Sequence, residues 1–307
     1  MQKEIIKKIE TLFAEKKYEE AIKVSEKKLI SHKISASLSN LIGICKILKK
    51  ERSMEDVLSA LSCFESAYLK GKKTVHGHNG LTHLISIGLQ FLKENSQLNF
   101  FLTRANKFYE ESEEHFKKSD VFLSSGLSLY SHFLDFKKQK EILNQILNGS
   151  SKSKILRSKC LFEKNYFRDW SQKDHFENAR INSKYFVKLK VKDVKEIDYK
   201  KNKKINIGFV SSDFERNHSI TFFIKNTIKY LDKEKFRIFL FSFAKNNIED
   251  ESQNELRDLA DEWFDSQKLD NQQVVNLIQE KKIDILFDVM GFTSPNRIEM
   301  FNSRIAP

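Results

Sequence analysis

The sequence predicts an N-terminal α-solenoid followed by one Rossmann-like parallel α/β lobe. Only 9 glycines and 2 prolines occur in 307 residues, and residues 1–294 contain no proline, which excludes an all-β sandwich or barrel because such folds need frequent turn residues. Apolar residues recur at helical spacing up to about residue 180, and strand and helix patterns alternate after Lys204. With 40% hydrophobic residues, the chain has enough apolar surface to exclude intrinsic disorder.

The N-terminal region resembles a series of tetratricopeptide helical hairpins. Gly43, Ala60, Phe64 and Ala67 follow the small and large spacing of such a repeat, in which small residues let paired helices approach and the phenylalanine fills the remaining space. The spacing from Gly43 to Ala60 is five residues longer than usual, which predicts an insertion between the helices. Weaker copies are predicted by Lys17–Ile22 and by the helix pairs near 80–117 and 119–148.

The composition changes between residues 184 and 204, where lysines alternate with apolar side chains. We therefore predict a helical domain over 1–183, a lysine-rich linker over 184–204 and an α/β lobe over 205–307. The period of two predicts one edge strand in the linker, protected from aggregation by its lysines. Its apolar positions are Val187, Leu189, Val191 and Val194.

Charge and cysteine content restrict the function classes. The net charge is +12, but lysines alternate with glutamates along helical faces and no basic stripe with interleaved aromatic residues occurs, which argues against nucleic acid as a partner. Three cysteines without a CxxC pair predict reduced thiols in a cytoplasmic protein. No apolar run approaches the length of a membrane span, and no secretory signal opens the chain.

A group of histidines at His76, His78 and His83 raises the question of a metal site. The segment Gly71–His78 contains no acidic residue or cysteine at ligand spacing, so we interpret it as a polar loop between helices.

Three strands and three helices are predicted in the lobe. The strands cover 205–210, 236–243 and 283–289, and the helices cover 218–230, 251–262 and 271–281. This order implies a parallel sheet with helices on both faces, in which ligands bind at the carboxyl ends of the strands. The loops 211–218 and 290–297 are therefore the predicted site.

The lobe resembles the amino-terminal half of the catalytic region of O-linked N-acetylglucosamine transferases, the family 41 glycosyltransferases. The resemblance is carried by short motifs in the same order, and the helical repeats in front of them also agree with that family. These motifs lie at Lys204–Ser219, Asp232–Phe236, Leu256–Asp261, Ile283–Arg297 and Arg304–Pro307.

This resemblance implies transfer of N-acetylglucosamine from UDP-N-acetylglucosamine to Ser or Thr of proteins, with inversion, by a GT-B-type fold of two lobes. It implies no metal and no cofactor, and acceptor proteins would bind in the groove of the helical repeats.

The resemblance also implies site residues. His218 matches a family histidine that acts as acceptor-side base or as orienting group, and the alternative is a histidine at a helix start with Asn217 as the cap. Asp213 is either a catalytic group or a carboxylate that fixes its loop. The implied substrate-binding residues are Asn217, Gly291, Thr293, Asn296 and Arg297.

The sequence also departs from the family pattern. The spacing from Phe214 to His218 is one residue longer than in the family, and Phe292 stands where other members carry histidine or tyrosine. The second lobe, which holds the sugar nucleotide in the family, is missing, and the only glycines after residue 200 are Gly208 and Gly291. We therefore expect a truncated chain that is inactive alone. The alternatives are a protein-binding scaffold without catalysis and a family relative that uses another sugar donor.

Overall fold

The computed structural model describes residues 2–28, 34–149, 151–192, 204–215, 218–245, 247, 249–293 and 296–307. The predicted fold class is confirmed, because helices are followed by a single parallel α/β sheet. The chain divides into two compact units, Met1–Ser151 and Lys152–Pro307. None of the described helices combines the length and the apolar character that a membrane crossing requires.

The first unit consists of α-helices joined by short connections. Ser35, Ser53 and Ser119 cap helices by accepting a backbone N–H three residues later, which explains where several helices start. The helices are α1 (Gln2–Ala14), α2 (Tyr18–Lys28), α3 (Ala36–Leu48), α4 (Met54–Lys70), α5 (Val75–Phe91), α6 (Leu98–Glu110), α7 (Asp120–His132) and α8 (Phe136–Asn148).

The repeat-like residues lie where the spacing predicts. A Cβ atom on Gly43 of α3 would stand 2.5 Å from the ring of Phe64 on α4, so the missing side chain is what lets these helices approach. The next pair of helices also meets at small residues: a Cβ added to Gly80 of α5 would stand 2.8 Å from the Cβ of Ala67 on α4. Phe64 is 1% exposed, and its ring centroid lies 5.2 Å from that of His83. Phe64 thus packs where α3, α4 and α5 meet, and the small residues Gly43, Ala67 and Gly80 let these helices approach one another.

All three histidines of the group lie on helix α5, and only His78 is buried, among aromatic rings. The predicted polar loop ends at Thr74, which caps α5, so His76 and His78 belong to that helix. The His78 ring stacks on Phe116 with 3.5 Å between centroids, and its Nδ1 lies 3.0 Å from the carbonyl oxygen of Thr74. Because a carbonyl only accepts, Nδ1 carries the proton and donates. The Nε2 atom is buried with no partner among the described residues.

We expect His78 to make the stability of the first unit depend on pH. Burial lowers the pKa of His78 below its usual 6.5, against a smaller opposing effect of the bond to Thr74 and with charges from His115 and Glu113 nearby. Because the pKa of His78 is lower in the folded than in the unfolded chain, the folded state binds the proton more weakly. The fold keeps its full stability above pH 6.5, where the ring is neutral in both states, and loses stability as the pH falls below 6.5.

Urea unfolding between pH 7.5 and 5 measures this effect. The loss from one such group approaches about 1.4 kcal/mol per pH unit. The His78→Gln variant should have a flatter profile than the parent chain, whatever its absolute stability. Equal slopes in the two proteins would show that other groups cause the pH dependence.

The second unit begins with two helices and continues into a sheet. Helices α9 (Lys154–Glu163) and α10 (Gln172–Asn182) precede strand β1 (Ile205–Ser211). Both belong to the same compact unit as the sheet, whereas the predicted boundary between the helical domain and the linker lies at 184. The remaining elements are α11 (Ser219–Tyr230), β2 (Phe236–Ser242), α12 (Glu251–Leu259), β3 (Glu262–Asp265), α13 (Asn271–Glu280) and β4 (Ile285–Asp288).

The sheet has four parallel strands in the order β3-β2-β1-β4. Helix α13 and residues 298–302 cover one face, while α11 and α12 cover the other, as the βαβ order predicts. The prediction of three strands is wrong, because the helix predicted over 251–262 ends at Leu259 and β3 follows it. The sequence Glu-Trp-Phe-Asp has no apolar run, and its strand is defined by pairing with β2 and by Phe264 stacking on Phe241 at 5.0 Å.

The edge strand predicted in the lysine-rich segment is also wrong for its described part. Residues 187–192 form no strand, and Val194 lies outside the described residues. The backbone of Lys190 exchanges two hydrogen bonds with the Gln272 side chain, and Lys192 does the same with Gln279. Side-chain amides on α13 therefore take the place of a neighbouring strand.

Candidate active site at the carboxyl ends of two strands

The two predicted loops leave neighbouring strands and touch each other. Strands β1 and β4 are paired, with Val210 opposite Asp288, so both chains emerge at the same edge of the sheet. The backbone N–H of Ser212 then donates to the sulfur of Met290 at 3.3 Å. This places the predicted residues of both loops at one position in the lobe, the carboxyl edge where parallel sheets bind ligands.

Asp213 is held by its own loop. Its backbone N–H donates to Ser211 Oγ at 3.0 Å, and its carbonyl accepts the hydroxyl of Thr221 at 2.7 Å. The Ser212 hydroxyl donates to Asp213 Oδ1 at 3.1 Å, and the side chain is 13% exposed. The carboxylate is thus fixed with one oxygen directed toward His218.

His218 caps helix α11 and presents its second nitrogen toward Asp213. The backbone N–H of Ile220 donates to His218 Nδ1 at 3.3 Å, so His218 is the N-cap of this helix. Asn217, the alternative cap, lies outside the described residues. Because Nδ1 accepts, the neutral ring carries its proton on Nε2, which is 3.9 Å from Asp213 Oδ1. His218 is therefore arranged to donate a hydrogen bond from Nε2 rather than to accept a proton there.

The loop after β4 is organised by Asp288. Its Oδ1 accepts the backbone N–H of Met290 at 3.1 Å and that of Gly291 at 2.9 Å. Burial raises the pKa of Asp288, and these two hydrogen bonds oppose the increase. Gly291 adopts φ +55°, and no described atom lies within 4 Å of where a Cβ would stand. The glycine is needed here for its backbone angle, since the space around it is open.

Replacing Gly291 with alanine should therefore cost stability through backbone strain alone. We expect a loss of about 1–2 kcal/mol, because a left-handed φ disfavours residues with a Cβ. Asparagine tolerates this region better, so Gly291→Asn is expected to lose less than Gly291→Ala. Denaturant midpoints of the three proteins measure the difference. An alanine variant as stable as the parent would contradict the positive φ.

Asn296 and Thr293 extend the same loop. The Asn296 amide donates to the Phe292 carbonyl at 3.1 Å, and its oxygen accepts the N–H of Ile298 at 3.4 Å. The N–H of Thr293 donates to the Met290 carbonyl at 3.1 Å. These contacts give the loop a defined shape and leave the Thr293 side chain in the lining of a cavity.

Arg297 joins this loop to the start of α13. Its Nη1 donates to the Leu269 carbonyl and to Asn271 Oδ1, each at 2.9 Å, and Nη2 donates to the Gln267 carbonyl at 3.3 Å. The guanidinium carbon lies 4.6 Å from the centre of the Phe243 ring. Burial lowers the pKa of Arg297, and the charge of Asp270 opposes the decrease. In this arrangement Arg297 shapes the site, and its role toward a substrate stays a prediction.

A cavity of about 560 Å³ lies beside the loop. One face of α9 forms one wall, and the loop after β4 forms another. Lys154 on α9 pairs with Glu299 at 2.6 Å within this lining. The lining residues are Lys154, Ile155, Ser158, Lys159, Phe162, Phe186, Asn271, Phe292, Thr293, Asn296, Ile298 and Glu299.

Comparison with known proteins places these loops in a family. Residues 180–307, which include both loops, match the profile of Glycosyl transferase family 41. We call residues 180–307 the family 41 region because they match this profile. The resemblance noted in the sequence motifs is thereby confirmed.

Relatives of the family 41 region include plant proteins. The chain is 30% identical over 105 residues to SPINDLY of Petunia hybrida, a probable UDP-N-acetylglucosamine–peptide N-acetylglucosaminyltransferase. The aligned segment covers 33% of this chain and 11% of that protein. It is 27% identical over 105 residues to the probable enzyme SEC of Arabidopsis thaliana, covering 34% and 10%. The match thus spans about a tenth of each plant protein.

A solved structure shows the same fold. An O-GlcNAc transferase variant of Thermobaculum terrenum superimposes with a TM-score of 0.56 at 19% sequence identity, covering 82% of this chain and 46% of that one. The covered part includes helices as well as the lobe, in agreement with the predicted succession of helical repeats and α/β sheet.

The structure adds residues that the sequence analysis did not select. Asp288 ends a strand and Gly291 follows three residues later, a pattern that indicates a tight turn held by the carboxylate. The cavity wall on α9 was harder to predict from the sequence than the turn at Asp288, because Ile155 and Phe162 resemble ordinary core positions of an amphipathic helix. In the structure Ile155 is 79% exposed, which no core position would be.

Proposed function

We propose that this chain forms the helical region and the first α/β lobe of a protein O-glycosyltransferase. The reaction is transfer of N-acetylglucosamine from UDP-N-acetylglucosamine to Ser or Thr hydroxyls of polypeptides. The observation that carries the proposal is the family 41 match over residues 180–307, which coincides with the His218 and Gly291 loops at the carboxyl edge of the sheet. The plant relatives are named as enzymes that use UDP-N-acetylglucosamine as donor and a peptide as acceptor, which supports this choice of donor and acceptor class.

In this reaction the acceptor oxygen bonds to the anomeric carbon while the bond from that carbon to UDP breaks. The acceptor proton leaves to a base, and UDP departs with the electron pair. We assign His218 the role of orienting group, because its Nε2–H is available to an acceptor or sugar oxygen while Nδ1 holds the helix N-terminus.

The proposed reaction uses no metal and no cofactor. Transfer is accordingly expected to be unchanged by EDTA. Acceptor polypeptides are proposed to reach the site along the helical unit, as the family resemblance implies, in a protein that acts in the cytoplasm.

The chain as it stands is proposed to be inactive. The described lobe lacks a glycine-rich loop for a diphosphate: Gly208 is packed against Leu286, where an added Cβ would stand 2.8 Å from its side chain, and Gly291 serves the turn held by Asp288. Tight binding of UDP to the isolated chain would contradict this proposal.

The deciding experiment compares the chain with a version extended to the stop codon of its gene. Both are incubated with a Ser/Thr-rich peptide and radiolabelled UDP-N-acetylglucosamine, with UDP-glucose and GDP-fucose as alternative donors. We expect transfer by the extended protein and none by the chain. Absence of transfer from all three donors by the extended protein would favour the alternative, a protein-binding scaffold.

A further inference from the structure

We propose that the cavity beside the loop after β4 binds two bulky apolar side chains of the acceptor polypeptide, close to its reacting hydroxyl. This inference rests on the proposed function, because it names a feature of the substrate. It starts from the position of the cavity. Phe292 and Thr293 line it and directly follow Gly291, and Met290 of the same loop accepts the N–H of Ser212 from the His218 loop. The cavity thus shares the loop after β4 with the candidate site.

Four of the seven polar residues of the lining, Lys154, Asn271, Asn296 and Glu299, hydrogen-bond to other protein groups. Asn271 accepts from Arg297 through Oδ1 and donates to Glu299 through Nδ2 at 3.4 Å. Asn296 uses both its amide nitrogen and its oxygen within its loop. Glu299 also accepts from Lys154 at 2.6 Å. Such groups have little capacity left for a ligand, so they serve to shape the wall.

The surface that remains for a ligand is therefore mainly phenyl and aliphatic. Its apolar members come from three segments, so the cavity offers apolar contact on several sides at once. They are Ile155, Phe162, Phe186, Phe292 and Ile298, and the other polar lining residues are Ser158, Lys159 and Thr293.

This chemistry favours a side chain over a sugar or a nucleotide. Each sugar hydroxyl that loses water needs a hydrogen-bond partner, and an unmatched one weakens binding. An apolar side chain needs no such partner and is stabilised by burial. The volume of about 560 Å³ lies within the roughly 300–1,000 Å³ of small-molecule pockets, and it exceeds what one phenyl ring fills. Two adjacent bulky residues suit it.

The test uses fluorescein-labelled peptides that differ only beside a central serine. One peptide carries two phenylalanines next to the serine, and the other carries two alanines. Fluorescence anisotropy with the chain as it stands should give binding at least about tenfold tighter for the phenylalanine peptide, the equivalent of about 1.4 kcal/mol. Equal affinity for both peptides would overturn the proposal.

Two variants at exposed isoleucines locate the binding. Ile155→Arg places a charge in the lining at a residue that is 79% exposed, so folding is expected to be retained. Ile181→Arg is the matched control on α10, where Ile181 is 49% exposed and is not part of the lining. The first variant should bind both peptides alike, and the second should keep the preference. A preference that survives Ile155→Arg would place the contact elsewhere and overturn the proposal.

Transfer assays separate this inference from the proposed function. If the extended protein glycosylates the alanine and phenylalanine peptides with the same KM, the cavity proposal fails while the enzyme proposal stands. If no donor supports transfer but the chain still prefers the phenylalanine peptide and loses this preference in Ile155→Arg, the enzyme proposal fails and the cavity is a peptide-binding site.

Discussion

The extended protein carrying His218→Asn is expected to lose roughly 100-fold in sugar transfer with almost no loss of stability. Removal of a single positioned hydrogen-bond donor typically costs a factor of this order. Asparagine is a favoured N-cap, so its side-chain oxygen can replace Nδ1 as acceptor for the N–H of Ile220. It has no atom at the position of Nε2, which lies 3.9 Å from Asp213 Oδ1. The substitution thus keeps the structural role and removes the proposed chemical one.

His218→Ala is the matched comparison. It removes both roles, so transfer should fall as in His218→Asn, while the free energy of unfolding should fall by about 0.5–2 kcal/mol from loss of the cap. Initial transfer rates and urea unfolding of the two variants give the required measurements. If His218→Asn transfers sugar as fast as the parent protein, His218 is a helix cap and has no part in the reaction.

Phe64→Ala should destabilise the first unit more than any other single substitution considered above. Phe64 is 1% exposed, lies against Gly43 and packs near the His83 ring, so truncation leaves a cavity where α3, α4 and α5 meet. Large-to-small changes of this kind cost about 3–5 kcal/mol. The loss is measured by urea unfolding followed by circular dichroism at 222 nm.

Phe100→Ala provides the control within the same unit. Phe100 is 62% exposed, and its main contact is with Arg104, whose guanidinium carbon lies 5.5 Å from the ring centre. We expect a loss below about 1 kcal/mol. Similar losses for both variants would show that Phe64 does not join the three helices as the structure indicates.

The packing around Phe64 was predictable because it depends on side-chain volume at fixed helical spacing. Gly43 and Ala67 are small where neighbouring helices approach, and this pattern is present in the sequence itself. The order of strands and helices was predictable for a similar reason, since the buried strands are continuous apolar runs. Both features are local and periodic.

The missed features depend on partners that are distant in sequence. Strand β3 exists through its pairing with β2, and the backbone groups of Lys190 and Lys192 bond to Gln272 and Gln279, more than 80 residues away. Arg297 illustrates the limit for the site: the family resemblance implies a substrate-binding residue, but the structure directs its donors to Gln267, Leu269 and Asn271. Its acceptors are two carbonyls and an amide oxygen, which carry no recognisable sequence signal.

One carboxylate links three separate stretches of the second unit. Glu299 accepts from Lys154 of α9, from the backbone of Val187 and from Asn271 of α13. Burial by itself would raise the pKa of Glu299, but these donors lower it overall, so the group stays ionised at neutral pH. Because the three stretches share a single anion, a peptide that displaced α9 on binding would remove one partner of Glu299 and so alter its bonds to Val187 and to Asn271 at the beginning of α13.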